Sequence, residues 1–205
     1  MTIVYRLGNK LYLNITNECS CDCVFCLRNT ADGVGDAASL WLEREPSLDE
    51  IKSAIDAALP ADDIDEIVFC GYGEPMVRAS VVIEISHYIK SHHSSPCRKP
   101  AQKVRINTNG LVFLMCPSFD VGQLSIVDTV SISLNADDGE EYQRTARPRY
   151  GAAAFDSLLD FARAAKAYTS VVFSVVEGTL SPARMENCKR IAREMGIPLR
   201  IRDME

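Results

Sequence analysis

The sequence lacks any apolar run long enough to cross a membrane: stretches such as Leu111 to Cys116 fall far short of the roughly 18 residues a span requires. It shows no secretory leader either. The N-terminus, MTIVYRLGNKLYLNIT, alternates polar and apolar residues around Gly8-Asn9, which is the pattern of a β-hairpin and not of a signal peptide. A basic excess is also missing. With 22 Lys and Arg against 28 Asp and Glu, the formal net charge of −6 argues against the broad positive surface that a phosphate backbone requires, and disfavours nucleic acid as a partner. Histidine is scarce, at three residues. His87 falls in a helical stretch and His92 and His93 lie beside a proline-bearing loop, so surface or internally satisfied rings are expected there, not a metal site. What remains, 205 residues with 47% apolar and 24% charged, suits a single domain with a sizeable core, expected to be cytoplasmic and to have no membrane partner.

Cysteine is the exception to this spareness. Of eight cysteines, Cys19, Cys21, Cys23 and Cys26 crowd into one short segment, which suits metal or cluster ligation in a reducing compartment better than a disulfide scaffold. Three of them, spaced CxxxCxxC on one loop after a strand, can hold three irons of a cubane as thiolates. The fourth iron then stays open, as reactive centres require. Phe25, just before Cys26, reads by itself as core, with stacking on a purine as the sharper alternative.

Strand and helix signals alternate along the chain. A strand over 11–16 enters the cysteine loop, and a helix starts near Leu48 behind the Ser47/Glu50 capping box. Glu66 to Cys70 reads as a buried strand ending at Gly71-Tyr72-Gly73-Glu74-Pro75, with a helix over about 78–91. Val104 to Asn107 is a strand meeting Thr108-Asn109-Gly110, and Pro117 spoils the helix after it. Thr129 to Leu134 is followed by an acidic turn, then by helical spacing over 155–168. Ser170 to Val176 precedes the Ser181-Pro182 helix start, Gly196 closes that helix, and 197–201 supplies a last strand. Six such units predict an α/β fold, an open partial (β/α)6 barrel behind an N-terminal hairpin at 1–16. The cysteines, GYGEP, NTNG and SLNA then all fall at the carboxyl ends of strands, where such sheets carry their sites.

NECSCDCVFC resembles the cysteine signature of the radical S-adenosylmethionine (SAM) superfamily, with Cys19, Cys23 and Cys26 as ligands of a 4Fe-4S cluster. Tyr72-Gly73-Glu74-Pro75 is similar to the superfamily's Gly-Gly-Glu motif for the SAM amino group, with Tyr72 in place of the first glycine. The resemblance implies polar contacts to ribose and carboxylate from Asn109, Ser133 and Asn135, and a guanidinium fork to the carboxylate from Arg147 or its near equal Arg149. Val176 is a candidate against adenine, or plain core. The hairpin, CDCVFCLRN, LWLEREPS and FCGYGEP look most like the small radical SAM proteins associated with TatD-family nucleases, which implies such a nuclease as partner and flavodoxin or ferredoxin as electron donor. The chemistry implied is reductive cleavage of SAM to a 5′-deoxyadenosyl radical that takes hydrogen from a substrate the sequence does not identify.

Residues 1–205 are expected to form one core domain with one cluster, with 17–46 as the cluster loop and its extension. The stretch from Arg28 to Pro46 reads equally as a mobile lid or as a surface excursion anchored by Trp41. Cys21 is expected outside the ligand set, Cys70 as buried and inert or else a hydrogen donor, and Cys97, Cys116 and Cys188 as structural. Asp62-Asp63 and Asp137-Asp138 read as solvated turn charges. A zinc-stabilised binding module and an iron-sulfur electron-transfer or sensor protein are the alternative readings.

Overall fold

The computed structural model describes residues 1–29, 33–59, 64–92 and 102–202. The expectations for His93, Cys97 and Asp62-Asp63 lie outside these residues. Strands β1 (Val4–Leu7) and β2 (Lys10–Leu13) form the hairpin, with Leu7 opposite Lys10 and Gly8 at a φ of 58°. Glycine takes that left-handed value without a Cβ penalty. From β2 onward all neighbours are parallel: β3 (Glu66–Phe69), β4 (Lys103–Thr108), β5 (Thr129–Ser133), β6 (Ser170–Val176) and β7 (Leu199–Arg202). The seven strands lie in simple sequence order, so the sheet has the topology of an open barrel with six parallel strands.

Local sequence explains most of the connections. Helix α1 (Leu48–Ala58) starts at the reciprocal Ser47/Glu50 capping box and buries Ile51 and Ile55 one turn apart. The chain after β3 makes a 3₁₀ turn over Pro75–Arg78 before α2 (Ala79–His92). The third connection holds only the short α3 (Val112–Met115), as the proline suggested. Helix α5 (Ala153–Ala165) follows, and α6 (Pro182–Met195) runs from the Ser181 cap to Gly196 at a φ of 59°. The expected acidic turn after β5 is instead a helix, α4 (Gly139–Thr145), capped by Asp138, which accepts from the Glu141 amide. Nor is Asp137 a solvated charge. Its side chain is buried against Arg184 and accepts from Asn187 Nδ2 at 2.8 Å. Among the described residues, no helix is long and apolar enough to cross a membrane.

The strands divide their two faces by period-two alternation. Val104, Ile106, Val130, Ile132, Val171, Phe173 and Val175 pack into the main core against the helices. The residues between them, Arg105, Asn107, Ser131, Ser133, Ser174 and Val176, face an internal cavity. The two ends of the sheet border that same cavity, Tyr5, Leu7 and Tyr12 from the hairpin and Arg200 and Arg202 from β7, so the sheet must curl. The hairpin's outer edge is covered, since Arg6 N donates to Asp36 Oδ1 at 2.7 Å. Strand β7 pairs only with β6 among the described residues.

Candidate functional site

The cavity has a volume of about 350 Å³, enough for a small-molecule ligand or cofactor. Cys19, Cys21, Cys23 and Cys26 line it together with Gly71, Tyr72, Gly73 and Glu74. None of these cysteines is in a disulfide; Cys19, Cys23 and Cys26 are half-buried and Cys21 is buried. Among the described residues, no three thiol, carboxylate or imidazole side chains converge as they would on a single ion. Burial and the nearby Glu74 push the Cys19 thiol up to about 12, and Cys21 is raised by its bond with Cys23 and by burial. A bound metal reverses that preference by stabilising thiolate.

Three backbone contacts hold the cysteine loop in place. Asp22 N donates to Ala146 O at 3.1 Å, Val24 N to Thr145 O at 2.9 Å, and Arg149 N to Ser20 O at 3.0 Å. The segment after α4 therefore clamps the loop through its main chain. On the other side, Glu74 N donates to Glu18 O at 2.7 Å, and a Cβ on Gly73 would lie 2.3 Å from Thr16 O and 2.7 Å from Glu18 O. Only glycine permits that approach. Gly71 is similarly tight, with its Cβ position 2.1 Å from Asn14 Oδ1.

Glu74 sits at the centre of this arrangement and is almost fully buried. Oε1 accepts from Met76 N at 2.9 Å and Oε2 from Asn109 N at 2.6 Å. Burial raises its carboxyl to about 7, against the lowering effect of the Asn109, Met76 and Thr108 bonds. Asn109 extends the network: its Nδ2 donates to Ser20 Oγ at 2.8 Å and lies 3.6 Å from Cys21 Sγ. Tyr142 from α4 closes it, with its hydroxyl 3.9 Å from Cys21 Sγ and donating to Asn109 O at 3.5 Å.

Ser133, Asn135, Val176 and Phe25 also line the cavity. Phe25 is half-exposed, so the core reading fails because the ring borders open space. Asn135 is buried at a φ of 48°, and its Oδ1 accepts from Val176 N at 3.3 Å, joining the ends of β5 and β6. Cys70 is a wall residue as well, because the pleat after β3 turns it toward the cavity, and burial raises its thiol pKa. The structure does not bring the side chains of Arg147 and Arg149 to the cavity. Both are exposed; Arg147 lies at a φ of 46°, and Arg149 bonds the Tyr150 hydroxyl. Anchorage of the segment before α1 rests on buried Leu40 and Leu42 and on Asn14 and Asn17, which bond their carbonyls at 2.8 and 2.7 Å. Trp41 itself is exposed, edge-on to Tyr72.

Several site residues escaped the sequence reading. Arg28 bonds Cys26 and lies near Cys19 and Asp22, placing a cation beside the thiols; its position two residues after the last cysteine was the available signal. Tyr142 was hidden because α4 was read as a turn, although Asp138 followed by Glu141 is a helix-start pattern. Arg105, Ser131, Ser174, Arg200 and Arg202 were legible as the polar partners in alternating strands.

Comparison with curated proteins finds no match. Among solved structures, Streptococcus suis SuiB bound to the precursor peptide SuiA is similar at 14% identity and a TM-score of 0.69, covering 98% of this chain and 40% of that one. Native anSMEcpe with bound AdoMet is similar at 14% identity and a TM-score of 0.69, covering 94% and 51%. The same protein with bound AdoMet and a Cp18Cys peptide gives 16% and 0.65, with coverages of 94% and 50%. The chain thus spans about half or less of the length of these structures, and at such identities the likeness is one of fold. The family model for the radical SAM superfamily matches residues 13–188, a span that includes the cysteine loop, the Glu74 network and the whole of four of the six parallel strands, β3 to β6, and the chain belongs to that superfamily.

Proposed function

We propose that the chain is a radical SAM enzyme that holds one 4Fe-4S cluster on Cys19, Cys23 and Cys26 and cleaves SAM reductively to take hydrogen from a substrate. The observation that carries this reading is that three half-buried thiols of one short loop and the buried Glu74 loop line the same cavity within a radical SAM fold. A cluster held there would supply the one electron that breaks the sulfonium C5′–S bond, releasing methionine and a 5′-deoxyadenosyl radical. The chain's own residues do the rest. Gly73, Glu74 and Tyr72 share the cavity with Cys19, which supports this loop as the receptor for the ammonium of SAM. Ser133 and Asn135 offer hydrogen bonds at the ends of β5 and β6, and Phe25 and Val176 offer apolar surface to a purine. Asn109 positions both the Glu74 carboxylate and Ser20 of the cysteine loop.

The narrower likeness to TatD-associated members supports a nuclease partner, and the need for one electron supports a flavodoxin or ferredoxin donor. Both suit a cytoplasmic enzyme. Residues 1–205 are read as one radical SAM core with 17–46 as its cluster loop and extension, Leu40 and Leu42 fixing the latter part of that extension.

The test is anaerobic reconstitution with iron and sulfide, dithionite reduction, addition of SAM and chromatography for 5′-deoxyadenosine, with Cys23→Ala in parallel. Product in the wild type and none in the variant is the expected result. A colourless zinc protein that assembles no cluster would overturn the proposal; an iron-loaded protein that does not bind SAM would point to electron transfer or sensing.

A further inference from the structure

The cavity has a second charged region on the wall supplied by the last strands. Its lining contains three arginines, Arg105, Arg200 and Arg202, against a single carboxylate, Glu74, whose oxygens already accept backbone amides. That is a local cationic excess inside a chain whose formal net charge is −6. The three arginines are not equivalent. Arg105 is consumed: Nε and Nη2 bond Glu66 at 3.1 and 3.0 Å, and Nη1 bonds Asn107 Oδ1 at 3.0 Å. Arg200 and Arg202 have no carboxylate partner among the described residues, and the buried Nε of Arg202 has no hydrogen-bond partner there.

A buried guanidinium nitrogen with nothing to donate to costs free energy that a ligand oxygen would recover. The neighbours fit such a ligand. Ser174 stands opposite Arg200 in the parallel register and Val176 opposite Arg202, while Ser133 stands opposite Ser174, so hydroxyls and guanidinium groups share one row across β5, β6 and β7 along the cavity, with Arg202 half-buried and Arg200 exposed to solvent as well. Cys70 on the facing wall feels the charge of Arg202 and Arg105, which brings β7 electrostatically close to β3 across the cavity.

We infer that Arg200 and Arg202 form an anion subsite, and that the molecule acted on carries a carboxylate or phosphate that these two side chains hold against β7. The inference rests on the proposed function for what happens to that molecule, but anion binding is measured apart from turnover. Forked guanidinium donors recognise both kinds of oxyanion, and held there, the anion would fix the rest of the substrate in the same cavity as the cysteine loop.

The experiment uses the full chain, reconstituted with iron and sulfide, with and without SAM. Ligand-detected NMR titrations compare succinate, inorganic phosphate and the neutral diamide succinamide, on the wild type, Arg200→Gln, Arg202→Gln, Arg202→Lys and the surface control Arg163→Gln. At least one dianion is expected to bind while succinamide does not, and whichever binds more tightly separates carboxylate from phosphate. Arg202→Gln should weaken it by about tenfold or more, Arg202→Lys by less, and Arg163→Gln not at all. SAM affinity should stay within about twofold of wild type in Arg202→Gln, and thermal melting identifies any variant that fails to fold. Dianions binding no better than succinamide, or unaffected by Arg200→Gln and Arg202→Gln, would overturn the inference. So would a loss confined to SAM, which would assign the arginines to the cofactor's carboxylate. Failure of the radical SAM reading itself would appear separately, as absence of 5′-deoxyadenosine from the wild type.

Discussion

The two ends of the cavity handle polar groups in opposite ways. At the cysteine end Glu74, Asn109, Ser20 and Tyr142 satisfy one another and the surrounding backbone. At the β7 end Arg200 and Arg202 are presented without described carboxylate partners. A network whose members are all paired specifies one geometry, whereas donors left open await a ligand. The chain thus builds rigidity at the cysteine end and leaves room for recognition at the other, and the cavity residue Arg105, paired with Glu66, shows that leaving an arginine open is not forced by the fold.

The hardest test of the rigid end is Gly73→Val. With carbonyl oxygens 2.3 and 2.7 Å from the Cβ position, the two loops must separate; a loss of about 3 kcal/mol or more in denaturant stability and failure to retain iron after reconstitution are expected. Gly8→Ala meets nothing within 4 Å and strains only its φ of 58°, so about 1 kcal/mol is expected there. Next in size is Arg105→Gln, which strips the half-buried Glu66 carboxylate of its bidentate partner while Lys10 remains; about 2 kcal/mol should be lost in urea unfolding.

Acidity probes the same end. Because burial lifts the Glu74 carboxyl from 4.5 to about 7 in the folded chain, the folded state binds more protons than the unfolded state between those values. The contribution is therefore complete below about pH 4.5 and is lost as pH rises through about 7, by roughly 3 kcal/mol across the window. Cluster-free Glu74→Gln should lack this component in stability measured against pH. Tyr142→Phe removes one hydroxyl from the Cys21 and Asn109 contacts and should cost about 1 kcal/mol by thermal denaturation. The smallest loss belongs to the open end: Arg202→Gln should lower stability by no more than about 0.5 kcal/mol, because removing the unpaired buried Nε works in the direction of a gain. A larger loss would mean that Arg202 is structurally engaged, and the contrast between the two ends would fail.

Much of this was legible in the sequence because the signals were local. The Ser47/Glu50 box, the Ser181-Pro182 start, the Gly196 stop and the Gly8-Asn9 turn each act within a few residues, and each appears where expected. The cysteine spacing was equally local. What was missed depended on pairing across the chain. The resemblance implied a guanidinium at Arg147 or Arg149, whereas what the segment is seen to do is bond the cysteine loop through its main chain, and no side-chain pattern encodes that. Asp137 looked solvated because its partners, Arg184 and Asn187, lie more than forty residues on. The polar lining was legible in Val130-Ser131-Ile132-Ser133 once one face is assigned to the helices, but which face turns inward depends on the curl of the whole sheet.

The close contact of Gly73 with Thr16 and Glu18 has a consequence for transplanting this chemistry. The loop that carries the thiols and the loop that carries Glu74 come from different strands, yet their backbones touch and share the Glu74 N to Glu18 O bond. A graft of residues 17–29 into another barrel would arrive without the surface it is moulded on, and a graft of 70–75 would bring a glycine whose purpose had been left behind. The module that can be moved between scaffolds is the pair, together with the two strands that set their spacing.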